Sequence, residues 1–189
     1  MRALTALLVA IPVLVAGSQS QSYKNTAPES FRANGQMSGA QGGVASAIDI
    51  SVDKYTPDAE HEALVKALQQ GYEPFLEALR KAPQIGSVKL GPNSYPVRWA
   101  RERATDKDHR RIAVVTDKPV YFFGAGAAEA KPTAGYDVAV VEFTVDTVGL
   151  GKGSMAPAAR VKAGGTSGIE IQDYSGKLIE LRTVIRNLK

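Results

Sequence analysis

Through most of the chain after Val44, apolar and polar positions alternate with a period of two. In Val44–Tyr55 the residues Ile48, Ile50 and Val52 form one apolar side and Asp49, Ser51 and Asp53 the other, as in a strand with one face buried. The period then lengthens. Thr56-Pro57-Asp58 carries a capping hydroxyl, a proline suited to the first helical turn and an acid at the positive end of the helix dipole. Ala63, Leu64, Ala67 and Leu68 follow at helical spacing, and Gly71 ends the run. A second helix is expected from about Glu73 to Lys81, with Phe75, Leu76 and Leu79 inward and Pro83 beyond its end.

Period two returns afterwards. Strands are expected at Ile85–Leu90, Tyr95–Arg103, Arg110–Thr116 and Pro119–Phe123, then a small-residue loop over Gly124–Gly135. The longest pattern runs from Asp137 to Lys162. Val138, Ala139, Val140 and Val141 are apolar without a break, which predicts cover on both faces, and Phe143 and Val145 then alternate with Glu142, Thr144 and Asp146. Gly149, Gly151 and Gly153 are read as a turn. The return carries Pro157, which cannot donate to a ladder and predicts an edge or a bulge. Gly168–Asp173 and Lys177–Asn187 complete the set. Hairpins in series pair antiparallel. The expected class is α+β: a mainly antiparallel, curved or partly closed sheet of about eight strands packed on a two-helix hairpin.

Ahead of this domain, Met1–Arg2 precedes an apolar run from Ala3 to Ala16 and the small residues Gly17-Ser18. The run is shorter than the roughly 20 apolar residues a spanning helix needs, so residues 1–18 are expected to be a signal peptide. Gln19–Gly43 is rich in Ser, Gln, Asn and Gly and is expected to be a disordered tail. Residues 44–189 then form a single domain, exported to the periplasm or beyond.

Composition narrows the chemistry. The 189 residues include no cysteine, which excludes thiol catalysis, thiolate metal sites and disulfides. The formal charge of +4 falls to +3 without Arg2, with 22 basic against 19 acidic residues, too weak and dispersed to indicate nucleic acid. Gly149-Leu150-Gly151-Lys152-Gly153-Ser154 has neither the spacing nor the strand–helix flanks of a phosphate loop. His61 and His109 are the only histidines, and neither lies in a zinc-binding motif; no metal or cofactor is expected. Asp49, Glu142 and Glu170 sit on strands, where carboxylates at a wet face are ordinary, although a hydrolase pairing them with a histidine is an alternative.

The most distinctive surface is the hairpin bearing the single tryptophan. Val97, Trp99, Arg101 and Arg103 are expected to share a strand face, with Arg110 and Arg111 on the partner strand. Arginine and tryptophan are frequent at binding hot spots. Trp99, Arg101 and Arg103, with Tyr121 at the edge of the glycine-rich loop, are therefore the candidate ligand-binding residues, set against the plainer reading of Trp99 as core.

The segments TPDAEHEALVKAL, SYPVRWARE, RRIAVVTDKPVYFF, AVVEFTVDTVGLGKGSM and IEIQDYSGKLIEL resemble, in this order, those of a family of exported bacterial proteins with no assigned activity. The likeness runs from about Val44 to Arg186. It implies export and a single domain, and it transfers no site residue. The expected function is an exported non-enzymatic module that binds a small ligand or a cell-envelope partner. A hydrolase and a binder of polyanions or the envelope surface stand as alternatives.

Overall fold

A computed structural model describes residues 27–37, 44–120 and 133–187. The expected signal peptide, Tyr121 and nearly all of the Gly124–Gly135 loop lie outside the described residues. Nine strands and two helices follow in the order β1 (Glu29–Met37), β2 (Val44–Val52), α1 (Asp58–Gln70), α2 (Tyr72–Lys81), β3 (Gly86–Leu90), β4 (Asn93–Ala104), β5 (His109–Thr116), β6 (Val138–Asp146), β7 (Leu150–Ala163), β8 (Ile169–Tyr174) and β9 (Ile179–Asn187). Eight of the strands close into a ring, β1-β2-β3-β4-β5-β6-β7-β9 and back to β1, with every pairing antiparallel. The antiparallel strands and the helical hairpin agree with the sequence pattern. The sheet is a fully closed barrel, not a curved or partly closed sheet. Closure removes the exposed edges that an open sheet would leave.

The closing stave is β1, and it lies within the stretch expected to be a disordered tail. Its residues alternate strictly: Glu29, Phe31, Ala33 and Gly35 are buried, whereas Arg32 and Asn34 are exposed. Phe31 is 0% exposed and meets Phe143 edge-on at 4.8 Å across the interior. Gly35 leaves space that a Cβ would take from Ile48, whose Cδ1 would be 2.7 Å away. The reading as a tail failed because small and polar residues make up most of this segment. β1 gains its stability from pairing on both edges with β2 and β9, not from its own apolar content.

An eight-stranded barrel is just wide enough to be filled by side chains. Here Phe31, Ile48, Ile50, Val88, Val97, Ile112, Val114, Val141, Phe143, Met155, Ile179 and Leu181 belong to one buried cluster inside the ring. A second core lies outside the ring. Leu64, Leu68, Tyr72, Phe75, Leu76 and Leu79 of the helices pack on Trp99, Ala113, Val115, Val138, Val140, Ala156 and Ala159 of the wall formed by β4 to β7. Val138–Val141 is therefore covered on both faces, as its unbroken apolar run predicts. Tyr72 fixes this layer: its hydroxyl accepts the Asp137 amide at 3.1 Å and donates to the Ala159 carbonyl at 3.2 Å. Burial pushes its phenol up to about 12.

Two bulges set which side chains face which core. The register shifts between Val97 and Trp99, so Val97 points into the barrel and Trp99 points out beneath the helices. The expected common face of Val97 and Trp99 is thus split. On β7 the register slips between Val138↔Ala159 and Val140↔Ala156, which places Pro157 in the bulge it predicts. Gly149 alone of the three central glycines has positive φ, at 90°. Gly151 and Gly153 lie within β7, where a Cβ would sit 1.9 Å and 2.1 Å from the carbonyl oxygens of Thr144 and Glu142. Thr56 does not cap α1 with its side chain. Its Oγ1 accepts the Ala100 amide at 2.9 Å and ties the start of the helix to β4. β8 lies outside the ring, paired to the far half of β7.

If β1 is a stave, truncating its core side chain must be costly. Phe31→Ala is expected to lower the unfolding free energy by about 3–5 kcal/mol, while Leu150→Ala, at an exposed position, changes it by about 0.5 kcal/mol or less. Urea unfolding of both variants checks this.

Candidate binding surface

Three places among the described residues gather functional side chains. The first is a buried ionic cluster at one end of the barrel. Arg110, on the strand opposite β1 in the ring, donates from Nη2 to Glu29 Oε2 at 2.6 Å and from Nη1 to Glu29 Oε1 at 2.7 Å and Glu102 Oε2 at 2.8 Å. The Tyr55 hydroxyl donates to Glu29 Oε1 at 2.5 Å, and Arg186 approaches Glu29 Oε2 at 3.0 Å. Burial and the neighbouring Glu29 carboxylate push the Tyr55 phenol up. Burial disfavours the Arg110 cation, but the bonds and charge of Glu29 more than offset this and hold it protonated. Among the described residues the cluster holds two carboxylates and two guanidiniums, and no buried side-chain polar atom lacks a partner. The cluster seals the end of the barrel.

The second place is the seam between α1 and β4. Trp99 is 1% exposed, and its indole N–H donates to His61 Nδ1 at 3.1 Å. An indole only donates, so Nδ1 accepts and the imidazole proton sits on Nε2. Burial and the neighbouring Arg101 push His61 below its ordinary value. Arg101 Nη1 donates to Asp58 at 2.7 Å and to the Thr56 carbonyl at 3.0 Å, and its hydrogen bond and charge hold the Asp58 carboxyl below the usual range. Arg103, exposed, donates to the Thr166 carbonyl. Of the four sequence candidates, Trp99 and Arg101 meet across this seam with His61 and Asp58. Arg103 stands two residues beyond Arg101 along the strand, and Tyr121 lies outside the described residues. The ring of Trp99 has no face open to solvent.

The strand carboxylates and histidines do not converge. Asp49 pairs with Arg32 on the outer wall, Glu170 of β8 with Lys162 of β7, and His109 with Asp106 at the β4–β5 tip, while His61 reaches from α1 to Trp99. Among the described residues, no three metal-ligating side chains group together.

The third place is the outer wall. The helices cover β4 to β7, and β9, β1 and β2 carry no second layer among the described residues. A groove of about 450 Å³ runs there, lined by Arg32, Asn34, Ala45, Ala47, Thr183 and Ile185 among others. Two alanines keep its floor low. Register carries the surface further. Leu150 stands beside Ile185, Ile185 beside Arg32, and Arg32 beside Asp49. Leu150 and Ile185 are 51% and 45% exposed. The alternation along β1 and β9 was visible in the sequence for β9 alone, and the groove was not foreseen because β1 had not been read as a strand.

Comparison with family models, with curated proteins and with solved structures returns no match. Among the described residues no helix is long and apolar enough to cross a membrane.

Removing one partner of the end cluster strands its counter-charge. Arg110→Met is expected to cost about 3–5 kcal/mol in urea unfolding, and Glu29→Met, Glu102→Leu and Arg110→Met combined to restore most of it. His61 adds a pH signature. Its folded value lies below the ordinary 6.5, so its contribution to stability is complete above that value. The contribution is lost as pH falls through the lower folded value, because the unfolded chain binds the proton more readily. The loss of stability on acidification is therefore expected to be smaller in His61→Gln, which keeps an acceptor for Trp99 but does not titrate. Unfolding midpoints of both proteins from neutral pH to about pH 5 check this.

Proposed function

We propose that the chain is an exported, non-enzymatic binding module whose contact surface is the bare part of the barrel's outer wall, and that its partner is a component of the cell envelope. The observation that carries this reading is the unequal cover of the barrel. The helical hairpin buries the wall of β4 to β7, while β9, β1 and β2 present a groove with exposed apolar residues at its border. An external partner fits better than a small ligand held inside, because large side chains occupy the interior. The leader-like Met1–Ser18 supports export. The wall offers recognition: Asn34 and Thr183 present polar side chains, Arg32 and Asp49 a salt bridge, and Ile185 an apolar edge.

Ala47 is exposed on the groove floor, so a long side chain there blocks the groove without touching the core. Native mass spectrometry of the protein recovered from the exported fraction is expected to show a complex of discrete mass. Ala47→Arg is expected to lower its occupancy by about tenfold, and Trp99→Phe to leave it unchanged. A complex indifferent to Ala47→Arg, or a clean apo mass, contradicts the reading.

A further inference from the structure

The groove continues into a corner of the barrel where apolar and basic side chains lie side by side. Leu150 and Ile185 face outward on neighbouring strands, and Val148, in the turn between β6 and β7, is 69% exposed. Two residues along β7 from Leu150, Lys152 faces the same way. It stands beside Thr144, Thr144 beside Arg111, and Arg111 beside Arg103, so three cations occupy one row across four strands. Neighbouring strands are about 4.8 Å apart, which spreads the row over about 15 Å. Arg111 and Lys152 have no ion-pair partner among the described residues. The acids nearby are largely engaged: Asp106 with His109, Asp108 with Lys107, and Glu180 with Arg182. Two outward carboxylates on β6 flank the row without such a pair: Glu142, and Asp146, whose Oδ1 is bonded to amides of the turn.

Three amides of the turn, those of Val148, Gly149 and Leu150, are bonded. Asp146 Oδ1 accepts the amides of Val148 at 3.0 Å and Leu150 at 2.9 Å, and its carbonyl accepts the Gly149 amide at 3.1 Å. The Gly149 carbonyl in turn accepts the Arg186 amide at 2.8 Å. These bonds lower the cost of moving that part of the tip into a medium that offers no hydrogen bonds. A protruding apolar tip beside unpaired cations matches the chemistry of an interface with anionic headgroups above acyl chains.

We infer that this corner docks on an anionic lipid surface, with Val148, Leu150 and Ile185 entering the interface and Arg103, Arg111 and Lys152 meeting the headgroups. The inference rests on the binding-module reading and adds a lipid contact beside the groove. A soluble polyanion would use the cations but have no need of the apolar tip.

Co-sedimentation tests it, using the protein recovered from its own cells with its N-terminus fixed by intact mass. Wild type, Leu150→Glu and Arg111→Glu carry the same N-terminus and are compared on vesicles of phosphatidylglycerol in phosphatidylcholine and of phosphatidylcholine alone. Both substitutions are at exposed positions, and unchanged urea midpoints confirm that the fold survives them. Binding is expected to be about tenfold tighter on the anionic vesicles and about tenfold weaker in each variant. Equal binding to both vesicles, no binding, or binding reduced by Arg111→Glu but not by Leu150→Glu overturns the lipid assignment. If vesicle binding fails while the complex sensitive to Ala47→Arg persists, only the lipid assignment falls. If both fail, the binding-module reading falls with it.

Discussion

A guanidinium held between two carboxylates inside one end of the barrel determines how the ring closes. Arg110 enters from β5 and Glu29 from the opposite stave, β1, while Glu102 and Tyr55 close round them from β4 and from the link between β2 and α1. A buried charge without a partner is costly, so the pairing tolerates little displacement. A slip of one residue along β1 would turn Glu29 and Phe31 to solvent and Ser30 and Arg32 into the core. One ion pair and one aromatic contact, Arg110 with Glu29 and Phe143 with Phe31, thus specify the register of the strand with the least apolar content of its own.

Closure and asymmetry of cover are connected. Once the interior is full, further apolar residues on the strands can be buried only from outside. β4 to β7 carry such residues at outward positions, and the helical hairpin lies over them. The bulge between Val97 and Trp99 turns the indole outward to meet this layer, and Thr56 and His61 pin the first helix to the same strand. The remaining wall has alanines, short polar side chains and a few exposed aliphatics. That wall, with the exposed stretches of β4, β5 and β7 at Arg103, Arg111 and Lys152, is open to contact.

Much of this was legible in the sequence, because it depends on neighbours in the chain. The helices followed from Leu64, Leu68, Phe75 and Leu79 at helical spacing, the hairpins from alternation and turn residues, and the double cover of β6 from four apolar residues in succession. What the sequence did not reveal depends on distant partners. Glu29 looked like a polar residue of a tail, and distant partners, Arg110 81 positions away foremost, give it a reason to be buried. Trp99 and Arg101 stood out as a binding pair, but residues of the first helix engage both. The bulges defeated simple alternation, since one extra residue exchanges the two faces of a strand. The outer groove was hidden for the same reason as β1.

Amide hydrogen exchange across the native protein tests the closed ring most directly. With β1 bonded on both edges, the amides of residues 31–36 are expected to exchange as slowly as those of β2 and β9 and to open with them in one global unfolding event. Exchange of β1 at the rate of a free chain, while β2 and β9 remain protected, would contradict closure and remove the wall on which the proposed contact surface is built.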